Sequence, residues 1–206
     1  MSQIQTIKSS EELAQEQEIL LSYDFEAMSL DELKKVESEY RNLKQQYDKL
    51  VPSWTGKQYE AWQWLYYWIE KREHENERVK VGDLFYSSWG YDQTNSEFFK
   101  VVSISKTGKT CEIVQVMREF IGDDKTNQRN MSGQVIPTPD KEFDKPPLKV
   151  KVERSHTKNP WTNKSDPIGK IQLRGSVYYG NNETSTSKHL ETLYRVDGPV
   201  SISWYA

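Results

Sequence analysis

The segment Gly82-Asp83-Leu84-Phe85-Tyr86-Ser87-Ser88-Trp89-Gly90-Tyr91-Asp92-Gln93-Thr94-Asn95 gathers the densest set of side chains able to do chemistry. A strand-like apolar run gives way to hydroxyls, aromatic rings, a carboxylate and amides, and the next apolar run opens at Glu97-Phe98-Phe99. Such residues have structural uses: Asp92 and Asn95 can close Asx-turns, Gly90 supplies an open backbone position, and Trp89 can cap a barrel. They also suit recognition, because rings give contact area while amides and hydroxyls give directional bonds. On that ground Ser87, Trp89, Tyr91, Asp92, Gln93, Thr94 and Asn95 form the candidate binding set. Catalysis would draw on Asp83, Asp92 or His189. Ser87 or Ser88 with Asp92 and His189 can be drawn as a triad, and His189 with Ser185 or Ser187 as a base and nucleophile. Nearness in sequence is not geometry, however, and a general acid or base needs a partner that the sequence does not point to.

Other chemistries find less support. His74, His156 and His189 are scattered without ligand spacing, so no metal site is assigned. His74, set among charges, is expected on the solvated surface. There is no phosphate-cradling glycine loop followed by a helix, and no cofactor is assigned. The stretch 145–174 carries eight Lys or Arg against Glu153 and Asp166, with Trp161 among them. Single-strand binders combine such charge with exposed rings. Lys149, Lys151, Arg154, Lys170 and Arg174 are therefore the candidate nucleic-acid contacts, although a sequence pI near 5.8 runs against a dedicated DNA-binding domain.

The elements that must position these residues are legible from punctuation and period. Ser9-Ser10-Glu11-Glu12 is a capping box opening a helix over about residues 10–22. Ser29-Leu30-Asp31-Glu32 is a second box, with Met28 and Leu33 at the staple positions. Leu33, Val36, Tyr40, Leu43, Tyr47 and Leu50 then recur at heptad spacing along one stripe, and Pro52 ends the helix. This stripe suits packing on a neighbour in the same chain; a dimerising arm is the alternative. A third helix over about 56–77 carries Tyr59, Trp62, Tyr66 and Ile69 on one stripe and Trp64 and Trp68 on another face. Apolar residues on two faces predict burial on two sides, as in a helix bridging the arm and the next domain.

After Val79 the rhythm changes to strands. Phe98 to Ser105 and Thr110 to Met117 flank Lys106-Thr107-Gly108-Lys109, a hairpin signal. Gly133 to Ile136, Leu148 to Val152, Ile168 to Leu173 and Ser176 to Tyr179 are further strands. Leu193 to Val196 and Val200 to Tyr205 are expected to pair across Asp197-Gly198. Gly122 to Asn130, Pro137 to Pro147 and Ser155 to Pro167 read as loops. The expected class is α+β: a helical segment of two to three helices over 1–78, then a small antiparallel β-barrel or roll over 79–206.

Composition agrees with one folded core resting on rings. The hydrophobic share is only 35% and mean hydropathy is -0.88, yet seven Trp, twelve Tyr and six Phe are present, which disordered chains lack. The net charge of -3 is too small to argue for a partner, but residues 1–50 hold eleven acids against six bases. The lone Cys111 allows no internal disulfide, the acidic N-terminus is unlike a signal peptide, and no apolar run is long enough to span a bilayer. A cytoplasmic protein without a membrane partner is expected.

Tyr86-Ser87-Ser88-Trp89-Gly90-Tyr91-Asp92-Gln93-Thr94-Asn95, Met131-Ser132-Gly133, and Tyr194-Arg195-Val196-Asp197-Gly198-Pro199-Val200 leading to Ser203-Trp204-Tyr205-Ala206 resemble an uncharacterised family of phage and plasmid proteins. The resemblance covers roughly residues 79–206 and leaves the acidic helical segment outside; a family tryptophan expected before Asp197 is Val196 here. It implies a mobile-element setting and brings no activity. The first functional expectation is a non-enzymatic accessory protein that binds and modulates a host or defence protein. A nucleic-acid-associated barrel and a small hydrolytic enzyme are the alternatives.

Overall fold

The structure, a computed structural model, describes residues 10–47, 56–90, 93–122, 131–180, 184 and 186–204. The Ser9 position of the first capping box, Leu50, Pro52, Tyr91, Asp92, residues 123–130 and the last two residues lie outside these. The chain forms two compact units, Met1–Asn76 with His156–Gly169, and Glu77–Ser155 with Lys170–Ala206. Residues 156–169, most of them within the Ser155 to Pro167 loop expected in the β domain, thus belong with the helices. No helix among the described residues is long and apolar enough to cross a membrane.

The helical unit holds α1 (Ser10–Leu21), α2 (Leu30–Tyr47) and α3 (Gly56–His74). The second capping box closes as its residue types require: Ser29 donates through its backbone N–H (2.8 Å) and hydroxyl (2.7 Å) to the Glu32 carboxylate. These bonds hold the Glu32 carboxyl below its usual range. The heptad positions Leu33, Val36, Tyr40 and Leu43 are all buried against α1 and α3, so the stripe is used within the chain. In α3 Ala61, Leu65, Tyr67, Trp68, Ile69 and His74 are buried, whereas Tyr59 and Tyr66 of the expected stripe are exposed. The Tyr66 hydroxyl instead meets Arg41 (2.5 Å) and Glu37 (3.1 Å) at the surface. A tyrosine tolerates either side of a helix because its polar tip finds partners at an edge, which is why the aromatic spacing misleads.

In the β unit, β1 (Leu84–Trp89), β2 (Asn95–Ile104) and β3 (Thr110–Ile121) form a meander. Its free edges are closed by β5 (Leu148–Arg154), β8 (Ile171–Tyr178) and β9 (Lys188–Arg195), giving a closed antiparallel barrel in the order β1-β2-β3-β5-β8-β9. Strand alternation sends Phe85, Phe99, Ile113, Val150, Leu173 and Leu193 inward, where they form the barrel core. Cys111 joins them, and burial pushes its thiol up to about 11.

Two strands extend the sheet. β4 (Ser132–Glu142) follows the distal half of β3, and β10 (Val200–Ser203) adds to β4. Together they cover a second small core of Phe98, Val116, Val135 and Ile202. Residues 137–142, expected as loop, are therefore strand. Pro137 and Pro139 lie past the end of the β10 pairing, where the open edge of β4 asks for no N–H. The expected hairpin across Asp197-Gly198 does not form, because β8 and β1 occupy both edges of β9. The remaining strands, β6 (Thr157–Lys158) and β7 (Ser165–Asp166), make a short hairpin inside the segment expected as loop.

Barrel closure depends on space at Gly175. A Cβ there would lie 2.7 Å from Val150 Cγ1 and 3.2 Å from Val150 Cα. Gly175→Ala is expected to destabilise the protein by about 1–3 kcal/mol, measured by urea denaturation, with the overpacking confined to the β5–β8 seam.

Candidate functional site

Toward one end of the barrel the inward-facing positions turn polar. Ser87 and Glu97 are cross-strand partners, two register positions beyond Phe85 and Phe99 and so on the same inward face. Both are buried, Glu97 with 1% of its surface exposed, as is Gln115 on β3. A buried carboxyl must find donors or stay neutral. Glu97 takes the indole N–H of Trp89 and the backbone N–H of Gly180. Gln115 holds the other side of Gly180, donating to its carbonyl at 3.1 Å, and accepts from Lys145 Nζ at 2.8 Å. Arg118, bonded to the Ser96 carbonyl, adds favourable charge, yet burial dominates and pushes the Glu97 carboxyl up.

The network fixes a ring stack. Trp89 lies on Tyr179 at 4.6 Å, and Tyr179 on His189 at 3.9 Å. The Tyr179 hydroxyl donates to Glu191 at 2.5 Å, a bond that with burial pushes the phenol up to about 12. Ser187 Oγ lies 3.3 Å from His189 Nε2. This nucleophile-and-base spacing is exposed, and no described carboxylate bonds the far side of the ring to orient it. Asp83 is engaged otherwise, accepting from Arg195 (2.9 Å) and the Lys80 N–H (2.9 Å).

The candidate binding set is thus divided. Ser87 is fully buried, and its hydroxyl has no partner among the described residues. Trp89 is half-buried and committed to Glu97 and Tyr179. Gly90 is required by its backbone: φ is 125°, and a Cβ would lie 1.8 Å from the Gln93 carbonyl oxygen. Gln93 is exposed and Asn95 half-buried, while Tyr91 and Asp92 lie outside the described residues. Thr94 is tied to the C-terminal strand, with its N–H 3.1 Å from the Ser203 carbonyl and the Ser203 N–H 3.0 Å from the Thr94 carbonyl. Ser132 pairs with Ser203, and the Trp204 N–H meets the Met131 carbonyl at 3.0 Å. Loop, Met-Ser-Gly piece and C-terminal segment, far apart in sequence, therefore converge beside a hollow of about 510 Å³ lined by Thr94, Ser132, Gln134, Ser201 and Ser203.

The basic set is divided too. Lys149, Lys151 and Arg174 are exposed on the outside of β5 and β8, with Lys151 directly opposite Arg174. Arg154 donates to the Glu77 carbonyl at 3.0 Å, and Lys170 reaches Asp197 at 3.4 Å. His74, expected on the surface, is buried beside Glu70 at 3.6 Å. Glu70, Glu73 and His74 bring possible ligand atoms within 4.8 Å of one another, though Lys34 already pairs with Glu73 at 2.8 Å.

A second site, missed in the sequence, lies in the helical unit. Asn159 orders the β6–β7 turn. Its Oδ1 accepts from the N–H groups of Trp161 (2.9 Å) and Thr162 (3.1 Å), and its Nδ2 donates to Asp166 at 2.8 Å. Asp166 also takes the Tyr67 hydroxyl at 2.7 Å, tying the turn to α3. Asn163 closes the turn at φ 58°, a conformation asparagine adopts readily. The turn displays Trp161, 81% exposed, with its ring edge-to-face on Trp64 at 5.8 Å. Beneath it opens a cleft of about 920 Å³ with Trp64, Tyr67, Trp68, Tyr23 and Phe25 among its walls. The Asn-Pro-Trp-Thr-Asn sequence held the signal, since an asparagine two residues before an N–H is the signature of an Asx-turn.

No family model, curated protein or solved structure matches the chain.

The buried carboxyl makes stability depend on pH. Because the folded state holds Glu97 above the ordinary value of 4.5, its contribution is complete below that pH and is lost as pH rises through the folded value. Glu97→Gln has no such dependence, so its melting temperature should gain on wild type between about pH 4 and about pH 8. Glu97→Ala leaves the indole and Gly180 donors without an acceptor and should cost about 3 kcal/mol in a denaturation titration.

Proposed function

We propose that the chain is a non-enzymatic binding protein, an accessory protein of a mobile element that engages and modulates a host or defence protein through the Trp161 turn and the cleft beside it. The observation that carries this reading is an 81% exposed tryptophan on a turn ordered by Asn159. Burying such a ring would be the ordinary outcome of folding; displaying it on a pre-ordered turn lowers the entropy lost when a partner covers it. The resemblance supplies the mobile-element setting, and the cleft volume falls in the range of ligand-binding pockets.

A second reading is favoured by one specific feature. Like charges placed directly opposite on neighbouring strands repel, and Lys151 faces Arg174, whereas Lys149 beside them faces Glu112. An anion such as a nucleic-acid backbone would relieve that repulsion.

One pull-down separates the two. Trp161→Ala should lose the captured protein while keeping stability within about 1 kcal/mol of wild type. A partner retained by Trp161→Ala rejects the cleft. Capture that disappears on nuclease treatment, weakens steeply with salt and is lost in Lys151→Gln/Arg174→Gln establishes the second reading instead.

A further inference from the structure

The cleft of the helical unit carries a charge pattern that names its occupant. Asp24, Glu26 and Glu60 line it, and none of the three carboxylates has an ion pair among the described residues. Two lysines also line it, but they are not equivalent. Lys71 Nζ sits 4.1 Å from the centre of the Trp68 ring, which holds the ammonium against the cleft's own wall while leaving its charge in place. Lys57, the other lysine, has no ring partner among the described residues. The lining therefore carries three acids against two bases, one of them already held over a ring, around a set of indole and phenol faces.

Indole faces attract cations through their quadrupole, and nearby carboxylates add to that attraction when water is partly excluded. Lys71 on Trp68 shows that an ammonium is accepted on these rings. Trp161 and Trp64, meeting edge-to-face, leave the outer face of Trp161 open. Building on the binding role proposed above, we infer that the cleft receives a cationic side chain, arginine or lysine, from an exposed basic segment of the partner protein. Rings sandwich the side-chain stem and Asp24, Glu26 and Glu60 face its charged head.

The test uses the full chain with ¹⁵N-labelled indoles and small probes: N-acetyl-arginine amide, its uncharged analogue N-acetyl-citrulline amide, and uridine monophosphate. The arginine probe should shift the Trp161 and Trp64 indole resonances saturably, with affinity about tenfold above citrulline. Asp24→Asn/Glu26→Gln/Glu60→Gln should reduce arginine to the citrulline level while the spectrum elsewhere stays folded. Equal binding of arginine and citrulline overturns the cationic assignment and leaves the cleft as a ligand site. A response to uridine monophosphate with none to arginine overturns it in favour of a nucleotide. No shift with arginine, or an undiminished shift in the triple variant, also overturns it. The binding role itself stands or falls separately, on whether Trp161→Ala still captures the partner.

Discussion

A carboxyl group sealed inside a closed barrel sets the terms for the β unit. Glu97 cannot be left alone there, because an unpaired buried charge costs far more than any neighbouring contact returns. Its two donors come from different parts of the chain, the indole of Trp89 at the end of β1 and the backbone of Gly180 just past β8. Satisfying Glu97 therefore holds the end of β1 against the end of β8. Tyr179 must then lie beside Trp89, His189 beside Tyr179, and Gln115 must catch the remaining carbonyl of Gly180. The polar end of the barrel is one connected network, and such networks fix geometry more firmly than isolated bonds do.

The helical unit uses a single amide for a comparable purpose with the opposite result. Asn159 spends one side chain on four groups, ordering a turn and tying it to Tyr67 and Asp166. At the barrel the ordered tryptophan is turned inward and its N–H consumed. At the turn the ordered tryptophan is presented to solvent. Two tryptophans that look alike in the sequence thus have contrary fates, decided by whether a buried acceptor lies within reach of the indole.

Much of the fold was legible in the sequence, and the reasons are local. Ser29 and Glu32 announce α2, the Leu33-Val36-Tyr40-Leu43 spacing announces its buried stripe, and the Lys106-Thr107-Gly108-Lys109 turn announces the β2–β3 hairpin. The α+β arrangement of helices followed by an antiparallel barrel follows from those signals. What failed was non-local. Nothing near Asp197-Gly198 says that β9 already has two neighbours, so the expected hairpin was wrong. Proline at 137 and 139 argued for loop because the open edge that tolerates it is set by where β10 ends. The candidate site was legible only in part. The Trp89 loop was conspicuous, yet Glu97, which commits its ring, reads in sequence as an ordinary surface acid. The Asx-turn at Asn159 was legible locally, but the ties that fix the turn against α3, through Tyr67 and Asp166, reach about 90 positions or more along the chain and leave no local signal.

The contrast between the two tryptophans is the centre of the account, and hydrogen exchange at the indole N–H groups of the unmodified chain tests it most directly. In a ¹H–¹⁵N spectrum followed after transfer to deuterated water, the Trp89 indole should exchange slowly and the Trp161 indole at the rate of a free indole. Fast exchange at Trp89 together with protection at Trp161 would contradict the account and return recognition to the Ser87–Asn95 loop.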